Sequence, residues 1–421
     1  MQISTSEFLL GSLSDILAQQ SNVNQLNQEI ASGQTMLNAA SAPAGAGQAI
    51  ETAGQIQHLT YDAANAQAGG QSIDTALGAL QQVNSLIDQL NQIALTGADA
   101  STSAATRQSL VIEAQSALQQ LVQLGNTQDG QGNYIFAGSK TAAAPFIVGQ
   151  NGAVSFIGDA ASNAIEIAPG VSAPVTASGQ AIFTDLPGGT NGVAVSAGAA
   201  NSGDATAQVQ AVTSLAQLAA AAGAGTQYSI AFTSAGSSGG LDYTVTSGTG
   251  TPGGSGFAAT SGVIASGSFT AGSGLQFAGL DVAIAGTPAA GDSFALQPGA
   301  TTSLFQTVQN LIAGLQSPLQ GQAGGDAGQQ QLQSAIGALA GAQTSVLTAE
   351  ATLGAGLSQI QAVQSEDQSQ TTQAQSALSS LQSANLPQVI ANYSAGVTAL
   401  QAAEEAFGRI QNLSLFAVIG P

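Results

Sequence analysis

Few side chains in this sequence can do chemistry. There is one histidine and no cysteine, and Lys+Arg number 3 against 23 Asp+Glu. Acyl transfer or a thiol nucleophile needs a base held beside the nucleophile. The one histidine, His58, lies in the helical stretch "AGQIQHLTYDAA" with no metal or catalytic motif around it, and reads as a solvated or partly packed helix residue. "GSKT", residues 138–141, holds the residues of a phosphate loop in the wrong order, because a Walker motif sets Gly-Lys directly before Ser or Thr. Paired carboxylates can share acid–base work. Glu404 and Glu405, however, are adjacent on a helix and point to different faces, as on the solvated edge of a coiled coil. Asp159, Asp185, Asp242 and Asp292 sit beside glycine or turn residues, where aspartate ordinarily caps turns. The dense oxygen ligands of a calcium loop are not seen, and "SGTGTPGGSG", 247–256, reads as a flexible loop tip. The expectation is a protein that is not an enzyme, with no cofactor and no metal.

One stretch remains unusual. "GNYIFAGSKTAAAPF", 132–146, gathers the only lysine with Tyr134, Phe136 and Phe146. Such crowding either binds a ligand or turns a corner, and the surrounding elements must decide.

Composition narrows the partners. The formal net charge of -20 leaves no basic surface to displace counterions from nucleic acid or to meet an anionic membrane. With only 6% charged residues, uncharged Gln, Ser, Thr and Asn must cover most of the surface. The lack of cysteine suits a chain exported unfolded or living outside the cell. No apolar run is long enough to span a membrane. "MQISTSEFLLGSLSDILAQQ" lacks the basic start, apolar run and cleavage site of a signal peptide. The protein therefore stays in the cytoplasm or leaves by a route that reads a different signal.

The elements fall into three stretches. Leu9, Ile16, Val23, Ile30 and Leu37 recur every seven residues, a coiled-coil pattern. Gly33 loosens it, and "AASAPAGAG", 39–47, is expected to break it. Ile73, Leu77, Leu80 and Ile87 form another helical stripe, and 110–124 repeats the habit. At the other end Leu386, Ile390, Tyr393, Val397, Leu400 and Phe407 line one helix, with Ile410 and Leu413 beside them and Pro387 in its first turn. Residues 328–383 are helical in spacing too. The two terminal stripes are expected to pack on each other and on copies of themselves. Between about 146 and 300 the apolar period drops to two, as in "AIEIA" (164–168), "YSIAF" (228–232), "LDYTVT" (241–246), "LQFAGLDVAIAG" (275–286) and "SFALQP" (293–298). "TSLAQLAAAAGAG", 213–225, is a short helix or a linker. The fold class read from this is α+β, a coiled-coil-like helical rod from both chain ends with an inserted antiparallel β-rich outer domain. The expected domains are 1–42 with 385–421, 43–141 with 301–384, and 142–300, the last dividing near 187–225.

These blocks resemble the flagellin superfamily. "MQISTSEFLLGSL…QQ…LNQEIASG" is similar to its N-terminal helix, and "LVIEAQSALQQLVQLGNTQDGQGNYIFAGSKTAAAPF" to its second specific block. "GLDVAIAGTPAAGDSFALQPG", 279–299, and the tail "RIQNLSLFAVI", 409–419, resemble the hook–filament junction branch more than filament flagellins. The resemblance implies a structural subunit of the bacterial flagellum that forms the junction between hook and filament, extracellular and exported without a cleaved signal. Implied partners are copies of itself, the other hook-associated junction protein, flagellin and an export chaperone, with no nucleic acid and no membrane. Leu9, Ile16, Val23, Ile30, Leu37, Leu386, Ile390, Tyr393, Val397, Leu400 and Phe407 would be the assembly interface.

By the same resemblance, Gly132, Tyr134, Phe136, Gly138, Pro145 and Phe146 mark the corner where rod gives way to β domain. There the glycines permit tight backbone, Tyr134 and Phe136 anchor a strand, and Lys140 meets a carboxylate or solvent. The sequence departs from the family after the first helix. Relatives carry Gly-Lys-Arg and then Pro-Ser-Asp-Asp-Pro, whereas this chain reads "SGQTMLNAASAPAGAG", and Gln2 stands where Arg is frequent. No ion pair is carried over. A flagellin of the filament itself is the alternative reading, and a secreted β-rich adhesin with coiled-coil stalks is one of another class.

Overall fold

A computed structural model describes residues 5–35, 43–234, 240–249, 258–318 and 325–419, without the side chains of 5, 6, 8, 9, 258, 260, 261, 325, 326 and 410–419. The helices are α1 Thr5–Ser32, α2 Pro43–Ala98, α3 Ala104–Gly125, α4 Leu215–Gly223, α5 Leu304–Gln316, α6 Gly325–Gln382 and α7 Leu386–Ile419. The strands are β1 Phe146–Val148, β2 Val154–Phe156, β3 Ala164–Ala168, β4 Val171–Pro174, β5 Leu186–Pro187, β6 Val193–Ala197 and β7 Thr206–Val212. Then come β8 Gln227–Ser234, β9 Leu241–Thr249, β10 Ala258–Ser268, β11 Gly274–Phe277, β12 Leu280–Ala285, β13 Ser293–Pro298 and β14 Thr301–Thr302. The class is α+β, with long helices from both chain ends and an antiparallel β-rich insertion, as the periodicities lead one to expect. By contact the chain forms two units, Met1–Ala64 with Gln364–Pro421, and Asn65–Val363.

In the unit made by the chain ends, α1 packs along α7. Both helices break at the same level. Gly33 follows α1 at φ +69°, a left-handed conformation that glycine adopts without a Cβ penalty. The Gly33 carbonyl accepts from the Ala384 N–H at 3.0 Å, and the Thr35 N–H donates to the Gln382 carbonyl at 2.7 Å. Gln34 and Ser383 thus form an isolated antiparallel bridge between the two breaks. The expected break at 39–47 does not hold over 43–47, where α2 already starts at Pro43, which tolerates the first helical turn because that N–H is unsatisfied anyway; 39–42 lie outside the described residues. Leu37 lies outside the described residues.

In the unit 65–363, α2, α3, α5 and α6 share a core. Ile73, Leu80, Ile87, Leu121, Leu311, Leu339 and Ile360 are fully buried, with Leu77 packed against them. Ser103 and Ser303 cap α3 and α5, their hydroxyls accepting from the N–H groups of Thr106 and Gln306.

The insertion has its own core. One antiparallel sheet runs β10-β9-β8-β13-β6 and another β11-β12-β7, with two-stranded β1-β2, β3-β4 and β5-β14 beside them. Phe232, Ile230, Val245, Val282, Phe294 and Leu296 close the interior between the two larger sheets. The run 275–286, read as one alternating stretch, is two strands. Ala278 (φ 47°) and Gly279 (φ 78°) turn it into the β11–β12 hairpin. Residues 213–225 hold α4, begun by the Ser214 cap. Strands β6 and β7, short and near one another, face α6 rather than further strands. The Gln330 amide pairs with the Ala207 peptide, and the Ser334 hydroxyl donates to the Val195 carbonyl at 2.9 Å.

Candidate assembly interface

The corner block resolves into turns around an aromatic cluster. Phe136 and Phe146 are buried with Phe183 and Phe305. Phe146 stands 5.2 Å from Phe183 and 5.0 Å from Phe305, and Phe136 is edge-on to Phe183 at 5.4 Å. Rings at such separations gain beyond their buried area. Phe146 also lies flat over the end of α3, where a Cβ on Gly125 would sit 2.6 Å from its ring. The Asn126 side chain grips the Phe146 peptide, Nδ2 donating to its carbonyl at 2.9 Å and Oδ1 accepting from its N–H at 3.0 Å.

The expected strand through Tyr134 and Phe136 is not formed. Ile135, Phe136 and Ala137 are consecutively buried while Tyr134 is half-buried, so the segment does not alternate. The reason is local. Gly132 (φ 84°) and Gly138 (φ 71°) fold the chain on itself, and the side chain and backbone of Asp159 fill the space a Cβ on Gly138 would need. Pro145 is buried, and its carbonyl accepts from the Ile157 N–H. Lys140 is exposed, its Nζ donating to the carbonyls of Ile157 at 3.3 Å and Gly158 at 3.4 Å, and its charge acts on the Asp159 carboxylate.

Asp159 shows why this corner holds. It accepts from the Ser139 hydroxyl, the Ser139 N–H and the Ala161 N–H. The Ser139 hydroxyl first, then its amide, hold the Asp159 carboxyl below the usual carboxylate range. Asp292, buried, likewise accepts from the N–H groups of Ser202, Gly203 and Ala289. Asp185 accepts from the Gln180 amide. Asp242 departs from the turn reading: it lies in β9 and accepts from Ser268 across the strand pair. His58, Glu404 and Glu405 are exposed. Among the described residues no group of three or more His, Asp or Glu is placed to hold a metal. The loop-tip reading of 247–256 lies outside the described residues from 250 onward.

The terminal helices meet along half-buried faces. On α1 these are Ile16, Gln19, Val23, Leu26 and Ile30; Leu9 is a residue whose side chain is not described. On α7, Val389 and Gly396 are buried, and Tyr393, Val397, Leu400 and Phe407 half-buried. The helices come close at Gly396, where a Cβ would lie 3.1 Å from Val23 Cγ2. The Gln19 Nε2 donates to the Gly396 carbonyl at 3.3 Å. The expectation that Ile390 and Leu386 join this seam is corrected. They are 49% and 40% exposed, because the inward heptad runs through Val389, Gly396 and Ala403, with Leu386 and Ile390 to its sides.

Sequence reasoning missed a second apolar row. Leu10, Leu13 and Leu17, spaced by three and four, are 67%, 42% and 56% exposed on α1. The spacing was visible; which of two apolar rows turns inward depends on Gly396 opposite Val23. What this arrangement can do is bind helices, through one face already paired and another uncovered.

A family model of the bacterial flagellin N-terminal helical region matches residues 3–141. A crystal structure of flagellar hook associated protein-3 from Legionella pneumophila superposes at a TM-score of 0.68 with 26% identity, covering 78% of this chain and 98% of that one. That family match takes in helices α1, α2 and α3. The chain is also similar to FlgL from Xanthomonas campestris, at 28% identity and a TM-score of 0.65 over 77% of this chain and 97% of that one. It is 32% identical over 147 residues to flagellar hook-associated protein 3 of Salmonella typhimurium, which is 35% of this chain and 46% of that protein. The match thus spans about half the length of this curated relative. Helix α1 and the corner block as far as Thr141 fall inside the flagellin family match.

Proposed function

We propose that this chain is a structural subunit of the bacterial flagellum that forms the junction between hook and filament, assembled through its terminal helices. One observation carries the reading: the likeness to the Legionella hook-associated protein extends over 78% of this chain and 98% of that one. The helix pair supplies the mechanism. Its inner face closes α1 on α7, and Leu10, Leu13, Leu17, Leu386 and Ile390 remain to be buried by neighbouring helices. A face of that kind lets copies of this chain, the other hook-associated junction protein and flagellin stack on it without charge, as a chain of net charge -20 requires. An export chaperone covering the same leucines before assembly fits the same chemistry. In this reading the chain works outside the cell and reaches its place without a cleaved signal peptide.

Antibody raised to residues 146–300 tests the placement. A thin band at the base of the filament is the expected decoration in electron micrographs. Decoration along the whole filament would make the chain a flagellin, and label on the cell surface away from flagella would favour an adhesin.

A further inference from the structure

Asp367 stands where an apolar residue belongs. Along α6, Leu353, Ile360, Asp367 and Ala374 recur every seven residues, and their exposures are 3%, 0%, 4% and 7%. The Asp367 Oδ2 has no hydrogen-bond partner. A carboxylate oxygen removed from water without a partner loses hydration that nothing replaces. Two further carboxylates act on it: Asp62, half-buried on α2, and Glu366, exposed on its own helix. His58, one turn before Asp62, is exposed, and no cationic group is among those that act on Asp367. His58, Asp62, Glu366 and Asp367 all belong to the unit formed by the chain ends.

We propose that Asp367, opposed by Asp62, is a built-in weak point that keeps the α2–α6 seam of the terminal unit easily opened while both carboxylates are ionised, and lets it tighten when one is neutralised. This is a property of the isolated chain and does not depend on the junction reading. Burial first, then the charges of Asp62 and Glu366, hold the Asp367 carboxyl above its ordinary range. The sign follows by linkage. A raised folded-state value means the folded chain binds the proton more tightly than the unfolded one. Below the ordinary aspartate value of about 4 the proton is bound in both states and the seam is at its firmest. Stability is then lost as pH rises through the raised value. An apolar residue at 367 would have given a continuous seam. The aspartate makes this part of the terminal helices the first to open, which suits a subunit whose ends order on assembly.

Amide hydrogen exchange on the full chain tests it, read in peptides from 43–64 and 364–382 and corrected for the intrinsic pH dependence of exchange. In Asp367→Asn, exchange in both segments should slow several-fold at neutral pH, with the 146–300 insertion unchanged. Acidification toward about pH 4 should slow the same segments in the unmodified chain and leave the variant where it was. Asp62→Asn keeps Asp367 and should give a smaller shift in the same direction. The proposal is overturned if Asp367→Asn exchanges as fast as the unmodified chain at neutral pH, or if both respond to acid alike.

Discussion

The side chain of Gln330 pairs with the backbone of Ala207 as a neighbouring strand would. Its Nε2 donates to the Ala207 carbonyl at 2.9 Å and its Oε1 accepts from the Ala207 N–H at 2.8 Å. Gln330 is 3% exposed, so neither bond has water as an alternative partner. One turn later Ser334 holds β6 by the Val195 carbonyl. Two neutral side chains of α6 therefore finish the edges of both larger sheets.

Gln330→Ala leaves the Ala207 peptide unpaired on both sides. The expected cost is about 1–3 kcal/mol for the unsatisfied groups. Urea denaturation followed by the tyrosines of the insertion should show a lower midpoint. An unchanged midpoint would mean that water replaces the amide.

Gly396→Val places a branched side chain against Val23 where α1 and α7 come close. Overpacking of this kind costs about 1–3 kcal/mol. Circular dichroism should register lost helix, while proteolysis still releases the stable core of 146–300. Leu400→Asp should act more strongly, because a charge in that half-buried seam has no partner. Cells carrying it should export the subunit, lose filaments and shed flagellin; normal swimming would refute the seam.

Leu13→Asp separates folding from assembly. Leu13 is 42% exposed on α1, so the free chain should melt within about 0.5 kcal/mol of the unmodified one. Incorporation at the hook tip should nonetheless fail. Normal incorporation would show that the row of Leu10, Leu13 and Leu17 is not a contact surface.

Asp159 gives a pH signature opposite to that of Asp367. The Ser139 hydroxyl and amide hold its carboxyl below the ordinary range, so its contribution is present above about pH 4 and is lost as pH falls through the depressed value. Ser139→Ala should flatten the acid limb of thermal unfolding of the insertion. An acid limb identical in variant and parent would remove Asp159 as its source.

Much of this was legible in the sequence, for identifiable reasons. Ile73, Leu80 and Ile87 were correctly read as buried because helical period alone selects them. The strands 164–168, 228–232 and 293–298 alternate strongly enough to survive any context. Strand β7, Thr206–Val212, was missed, since its edge is completed by a glutamine more than a hundred residues away in sequence. The Tyr134–Phe136 segment imitated a strand because aromatic alternation is a local signal. The two positive-φ glycines that override it are legible only as permission to turn. The choice between the inward row through Val23 and the outward row through Leu13 lay on another helix altogether.

The coincidence of the two helix breaks has a mechanical consequence. A kink in one helix of a pair is resisted by the straight partner, which must stretch or slide. Here Gly33–Thr35 and Gln382–Ala384 interrupt both chains at one level, and the Gln34–Ser383 bridge ties them across. Bending at that level carries α1 and α7 together, with no slip of Val23 past Gly396. The terminal pair can therefore tilt as one lever about a crosspiece of backbone hydrogen bonds, passing on torque while its packed seam stays in register.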